Sequence, residues 1–207
     1  MSDYFQHSFL SNSEINEFLR KIGAARELPE NIEVIYSMGT LSHATIFEPH
    51  LADKTHDGYE LALRMRNTFW KDAMCREFAS ANDFEREKPY FHIRQVGPYI
   101  VNLRCKTDGV RTRLGTMMEF KGLGVDTEKA FRHALVDFNY DKAIAHYMIT
   151  GDFKMALMVG ISKRDPRKLF RWLVKRHDEF YLGGEQKLID SLKILREYSP
   201  EDVKLAA

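Results

Sequence analysis

The segment RCKTDGVRTRLGTMMEFKG, residues 104–122, carries an aspartate, Asp108, a glutamate eleven residues on, Glu119, and a lysine two beyond it, Lys121. If residues 99–108 and 116–121 are strands paired through the short GVRTRLG connection, Asp108 ends one of them. Strand alternation then puts Glu119 and Lys121 on one face of the other and sends Phe120 the opposite way, into the core. Two neighbouring carboxylates repel unless a cation stands between them. Mg²⁺, with Mn²⁺ as a substitute, suits oxygen ligands in a site that keeps several waters. Such an ion acidifies a bound water and offsets charge on phosphate oxygens, and a lysine beside it can orient that water. This is the chemistry of phosphodiester hydrolysis. The same residue types also form ordinary solvated pairs on edge strands in a chain that is 29% charged, and their spacing alone does not choose between the two.

The elements that would position these residues follow from period and punctuation. Ser13 is expected to cap a short helix burying Ile15, Phe18 and Leu19. Gly39 and Thr40 are candidates to open a second helix, with His43, Ile46 and Phe47 on one face, stopping before Pro49. Residues 59–81 read as one longer helix through Leu61, Met65 and Phe69. PYFHIRQ and YIVNLRCKTD, separated by VGP, make a hairpin, and LGTMMEFK a third strand. Residues 127–149 are helical with a break near Asn139, FKMALMVGIS and KLFRWLVKR are strands, and EQKLIDSLKILREY closes as a helix with Leu188, Leu192 and Leu195 as a buried stripe. The sum is one domain over residues 1–207, an α/β fold with a central mixed β-sheet flanked by helices.

Bulk properties narrow the class. An apolar content of 44% supports a folded core and argues against disorder. Cys75 and Cys105 are too few for a four-cysteine zinc or iron–sulfur site and fit a reducing compartment. No apolar run reaches membrane-spanning length and the start, MSDYFQHS, is polar, which implies a soluble, cytoplasmic protein with no membrane partner. A net charge of +1 predicts no global attraction to nucleic acid. Residues 163–177, KRDPRKLFRWLVKRH, nevertheless hold seven Lys or Arg against one Asp. That block is either a solvated face or one wall of a nucleic-acid channel.

The stretch MGTLSHATIFEP, residues 38–49, resembles the G-T-x-x-H-x-x-x-x-E-P segment of RecE-type (exonuclease VIII) nucleases. These belong to the PD-(D/E)xK superfamily with lambda exonuclease and the RecB nuclease domain. LRCKTDGV and MMEFKG resemble that family's Asp-ending strand and its D/E-x-K strand, in the family's order, and the likeness runs over roughly residues 8–198. The resemblance implies a metal-dependent nuclease with the PD-(D/E)xK (restriction-endonuclease-like) core. His43, Asp108, Glu119 and the carbonyl of Phe120 would hold the metal, and Asp108, Glu119, Lys121 and Tyr147 would form the catalytic set. Glu48 and Glu87 would be supporting carboxylates, although the first also reads as a cap or ion-pair residue and the second as a solvated strand start. Lys163, Arg164, Arg167 and Lys168 would contact DNA, and Trp172 packs on the sheet. The family's helix motif, aromatic-x-x-Gln-x-x-x-Tyr, falls on Tyr140 to Tyr147 with Ala143 in place of the glutamine, and Gly122 follows the lysine where Thr or Ser is common.

By the same resemblance the substrate is linear double-stranded DNA with free ends, cut 5′ to 3′ in a bacterial or phage-infected cell. The 3′ overhang left behind would serve recombination through a single-strand annealing partner, and the chain would assemble as a homo-oligomeric ring. Endonuclease or structure-specific nuclease action on the same fold, and a non-catalytic DNA-binding or interaction role, are the competing readings.

Overall fold

The computed structural model describes residues 9–206; the polar start MSDYFQHS lies outside them. Four helices come first: α1 (Asn12–Lys21), α2 (Ile32–Phe47), α3 (Tyr59–Lys71) and α4 (Ala73–Ala79). Ser11, not Ser13, caps α1. Its hydroxyl accepts the Glu14 N–H at 3.3 Å while the Glu14 carboxylate accepts the Ser11 N–H at 2.7 Å, a reciprocal box that satisfies two otherwise unpaired donors. Helix α2 begins at Ile32 and passes through Gly39 and Thr40 where the sequence suggested a start. Its first half leaves Val34, Ile35 and Tyr36 exposed, so no buried stripe marks it in the sequence. The single helix expected over 59–81 is two. Asp72 is extended, and its carboxylate takes the Cys75 N–H at 3.0 Å, which ends α3 and caps α4 together.

Strands β1 (Phe84–Arg86), β2 (Pro89–Val96), β3 (Tyr99–Lys106), β4 (Gly109–Arg111) and β5 (Thr116–Leu123) follow. Then come α5 (Glu128–Asp137), α6 (Tyr140–Thr150), β6 (Met155–Ser162), β7 (Leu169–Lys175), α7 (Glu179–Tyr198) and β8 (Val203–Leu205). The strands form two sheets where one was expected: a five-stranded sheet in the order β1-β4-β5-β6-β7 and a three-stranded sheet β2-β3-β8. The pairing of 99–108 with 116–121 does not occur. Strand β3 pairs with β2 and β8, and β5 pairs antiparallel with the short β4 and parallel with β6.

The reason is a corner. Strands β1–β2 and β3–β4 are two sides of one antiparallel ribbon, with Arg86 opposite Gly109 and Pro89 opposite Lys106. Between those pairs the ladder lapses, at Glu87–Lys88 on one side and Thr107–Asp108 on the other, and the ribbon passes from one sheet to the other. Glu87 takes a left-handed backbone, φ 45°, and does not open a strand as the sequence suggested. Asp108 lies in this break and not at a strand end.

Both faces of the five-stranded sheet are covered, so β6 reads as the near-continuous apolar run MALMVGIS. Met118, Phe120, Leu157 and Val159 pack on one face with Phe47, Met65 and Phe69 of the early helices. Met117, Ala156 and Met158 pack on the other with Phe131, Ile144, Met148 and Leu188 of α5, α6 and α7. Helices α6 and α7 touch through main chain. A side chain on Gly184 would start 2.1 Å from the Asp141 carbonyl oxygen, so only glycine permits this approach. The expected break at Asn139 is a left-handed residue, φ 57°. Among the described residues no helix is long and apolar enough to cross a membrane.

Candidate active site

Four separate parts of the chain meet at the corner. Asp108 uses one carboxylate oxygen to accept the N–H of Phe120 at 2.6 Å, which ties the corner to β5 just past the end of its pairing with β4. Its other oxygen lies 3.0 Å from His43 Nε2, an ion-pair approach that is off the line of a hydrogen bond. His43 hangs from α2 with its ring 4.9 Å from that of Phe47, and its Nδ1 lies 3.2 Å from Glu87 Oε1. Lys106 pairs with the other oxygen of Glu87. Lys121 donates to Glu119 Oε1 at 2.7 Å, with its ammonium 5.1 Å from the centre of the Tyr140 ring. Glu119 and Lys121 share one face of β5 as strand alternation requires, and Phe120 is in the core on the other.

The electrostatics are those of charges packed together in a largely buried corner. Burial pushes the Glu119 carboxyl up, the charge of Asp108 pushes it further, and it reaches about 7 although Lys121 opposes both. Burial also works to raise Asp108, but His43 and Lys121, with the Phe120 amide, outweigh it and hold that carboxyl below the usual range. For His43 burial lowers the pKa, yet Asp108, Glu87 and Glu119 bring it above the ordinary value. Burial likewise disfavours the Lys121 ammonium, and Glu119 and Asp108 more than offset it, so this lysine keeps its proton well above the normal range. The half-buried Tyr147 on α6 is pushed well up, by burial first and Glu119 next. Two carboxylates with their pKa values driven apart, beside a firmly protonated lysine, are a recurrent arrangement of acid–base and ion-binding sites.

One atom stands out. Glu119 Oε2 is buried and has no hydrogen-bond partner among the described residues, a costly state for a carboxylate oxygen. As the side chains stand, no three His, Cys, Asp or Glu among the described residues are grouped as a metal ion would require. The basic side chains beside the carboxylates are His43 and Lys121.

Of the residues singled out in the sequence, the structure brings together His43, Glu87, Asp108, Glu119, Phe120 and Lys121, with Tyr147 bordering them. Glu48 forms the C-cap of α2 through its main chain, and its carboxylate makes no ion pair or hydrogen bond among the described residues. Lys163, Arg164, Arg167 and Lys168 lie in the β6–β7 loop. Trp172 packs against Phe180 at 4.6 Å and Arg132 at 4.7 Å, as expected of a sheet residue. Ala143 is buried within α6. Tyr140, partly buried against the core, also presents its ring to Lys121 at the site's border.

No family model and no curated protein matches the chain. Among solved structures, a protein of Eubacterium rectale proposed to be an exonuclease superposes with a TM-score of 0.59 at 13% identity, covering 100% of this chain and 89% of that one. A phage-related exonuclease of Haemophilus somnus 129PT aligns over 95% of this chain and 99% of that one, at 9% identity and a TM-score of 0.43. The first superposition shows that this mixed α/β fold, a central mixed sheet flanked by helices, is shared with that protein.

Proposed function

We propose that this chain is a metal-dependent deoxyribonuclease of the RecE-like type, acting at the ends of linear duplex DNA. The observation that carries the reading is the meeting of His43, Asp108, Glu119 and Lys121, drawn from α2, the ribbon corner and β5, around a buried carboxylate oxygen with no hydrogen-bond partner among the described residues. The imidazole and the two carboxylates would supply the donors for Mg²⁺ or Mn²⁺ once their side chains turn toward a common point, and the buried Glu119 Oε2, without a hydrogen-bond partner among the described residues, fits such a ligand atom. The Phe120 carbonyl fits as a further ligand. Within a strand the N–H and C=O of one residue face the same edge, and the Phe120 N–H faces Asp108. Such an ion, when bound, supplies an acidified water and neutralises charge on the scissile phosphate.

The remaining work falls to the chain itself. Lys121, held protonated by two carboxylates, is a donor: it orients the attacking water and offers its charge to the phosphoryl oxygens. Its carboxylate neighbours fix where that ammonium points, and Tyr140 walls one side of it. Glu87 holds the far nitrogen of the His43 ring and so sets its rotation. Tyr147 borders the same pocket as a neutral phenol able to donate to a phosphate oxygen. A 5′-to-3′ polarity, a 3′ overhang passed to an annealing partner, and assembly as a ring belong to the same reading and rest on the family resemblance. The superposed exonuclease structure supports it at the level of fold.

The test is cleavage of end-labelled linear duplex with Mg²⁺ or with EDTA, beside a closed and a nicked circle. Parent protein should shorten the linear molecule only with metal, while Glu119→Ala and Lys121→Ala should each lose at least a hundredfold in rate, on the order expected when a transition-state donor is removed. Full activity in both variants would overturn the site. Cutting of the closed circle would move the reading to an endonuclease.

A further inference from the structure

A second positively charged feature lies outside the corner, and its composition differs from what the sequence implies. A cleft of about 620 Å³ opens between the exposed side of α3 and the β6–β7 loop. Arg64, Asn67 and Lys71 line it from the helix, at the three- and four-residue spacings that place side chains in one row. Arg164 and Arg167 line it from the loop, with Asp165 as the one acid. The loop arginines are largely answered within the protein. Arg167 forms a fork with Asp165 at 2.8 and 3.1 Å, and Arg164 approaches Asp126 at 3.6 Å. Lys168 also leans toward Asp126, at 3.9 Å. Arg64 and Lys71, both exposed, have no hydrogen bond or ion pair among the described residues. The basic run 163–177 is thus mostly neutralised where it meets the cleft, and the unanswered charge comes from α3.

The walls are built rather than loose. The Thr68 hydroxyl donates to the Pro166 carbonyl at 2.6 Å across the cleft floor. Ser162 accepts the N–H groups of Arg164 and Asp165 at 3.2 and 3.0 Å and donates to Asp126 at 3.0 Å, so the loop is pinned at its root. Lys163 N–H is held by the Leu123 carbonyl at 2.8 Å, and the Lys163 stem crosses Gly122, where an added side chain would stand 3.1 Å from its Cε. Gly122 follows Lys121, so the cleft and the catalytic lysine are at the same end of β5. Two unpaired cations in a row, about 10 Å apart along the helix from Arg64 to Lys71, are spaced for a chain of phosphates and not for a single anion.

We infer that this cleft seats the sugar–phosphate backbone of a nucleic-acid strand beyond the point of cutting, with Arg64 and Lys71 as the charges that hold it and Asn67 as a neutral donor between them. This rests on the nuclease reading for its substrate, but binding can be measured without cleavage. The experiment is fluorescence anisotropy of labelled DNA oligonucleotides, single-stranded and duplex, of increasing length, in EDTA and over a salt series, using the full chain. The Arg64→Gln/Lys71→Gln variant should bind at least tenfold more weakly at 0.1 M salt, with its log–log salt slope smaller by about 1.5, the loss expected for two phosphate contacts. Arg167→Gln, whose charge is already answered, should change the slope by less than half as much. Equal affinity and slope in parent and double variant would overturn the inference. So would affinity independent of oligonucleotide length, or full competition by millimolar inorganic phosphate, either of which marks a single-anion pocket. If Glu119→Ala still cuts while the double variant fails to bind, the nuclease site assignment falls and the cleft stands. The reverse result removes the cleft and leaves the site.

Discussion

Replacing Glu119 by glutamine should stabilise the protein above neutral pH while removing the chemistry proposed for it. Glu119 is 5% exposed, and its carboxyl is driven to about 7 from an ordinary glutamate value of 4.5, by burial first and Asp108 second. The folded pKa is the higher one, so the folded state binds the extra proton between those two values. Stability from this group is therefore whole below 4.5, falls as pH rises through the window, and is lost above about 7. At about 1.4 kcal/mol per pH unit, ionised Glu119 destabilises the fold by roughly 3 kcal/mol at pH 8, with the Lys121 attraction already counted in the net shift. Glutamine matches the neutral carboxyl in shape, so Glu119→Gln should recover most of that amount. Urea unfolding in EDTA measures it: with a slope near 2 kcal/mol/M, the midpoint should rise by about 1 to 1.5 M at pH 8, and the gain should fade toward pH 5. An equal or lower midpoint at pH 8, or a gain that does not change with pH, would refute the account of the site as strained charge. A gain paired with lost cleavage would show stability given up for function.

Further expectations follow from the same structure. Millimolar Mg²⁺ or Mn²⁺ should raise the melting temperature of the parent, by about 2.7 kcal/mol of stability at a hundredfold excess over Kd, and leave Asp108→Asn and Glu119→Gln unmoved in a thermal-shift assay. His146 is fully buried with Nε2 2.9 Å from the Arg104 carbonyl, and burial first, with Lys142 adding to it, brings its pKa down to about 4. Its folded pKa is the lower one, so stability is whole above 6.5 and is lost as pH falls toward 4; His146→Gln should flatten the parent's acid-side decline by up to about 3 kcal/mol in chemical denaturation. Gly184→Ala should destabilise by about 1 to 3 kcal/mol or more, because the new methyl meets main chain that cannot swing away, and a lowered thermal midpoint would record it.

The site's geometry was legible where it depended on local spacing. Glu119 and Lys121 share a face because strands alternate, and β5 formed where its apolar and β-branched residues predicted. His43 was reachable only by resemblance, since its partners are 44 and 65 residues away in the chain. The corner was not legible. It depends on the lapse of pairing between two segments that each look like uninterrupted strand, and on a left-handed Glu87 that no glycine or asparagine announces. The second sheet escaped for a related reason, as β8 is a three-residue strand and its partner β3 was already assigned to β5. The ion-pair partner of Arg164 and Lys168 in the basic run, Asp126, lies far from them in sequence and could not be read from it. The row of Arg64, Asn67 and Lys71 on α3 reads as a solvated surface until the loop opposite it is in place.

The lapse in the ribbon also isolates faults. Within a continuous two-stranded ladder, inserting or deleting one residue turns over every side chain between the change and the turn. Here the change would propagate from its position to Gly97 in one direction and be absorbed at the unpaired corner in the other. The three-stranded sheet can thus drift in register and surface character while Glu87 and Asp108 keep their aim. A length change at residues 87–88 or 107–108 has no such buffer, and there a single added residue should dismantle the carboxylate arrangement outright.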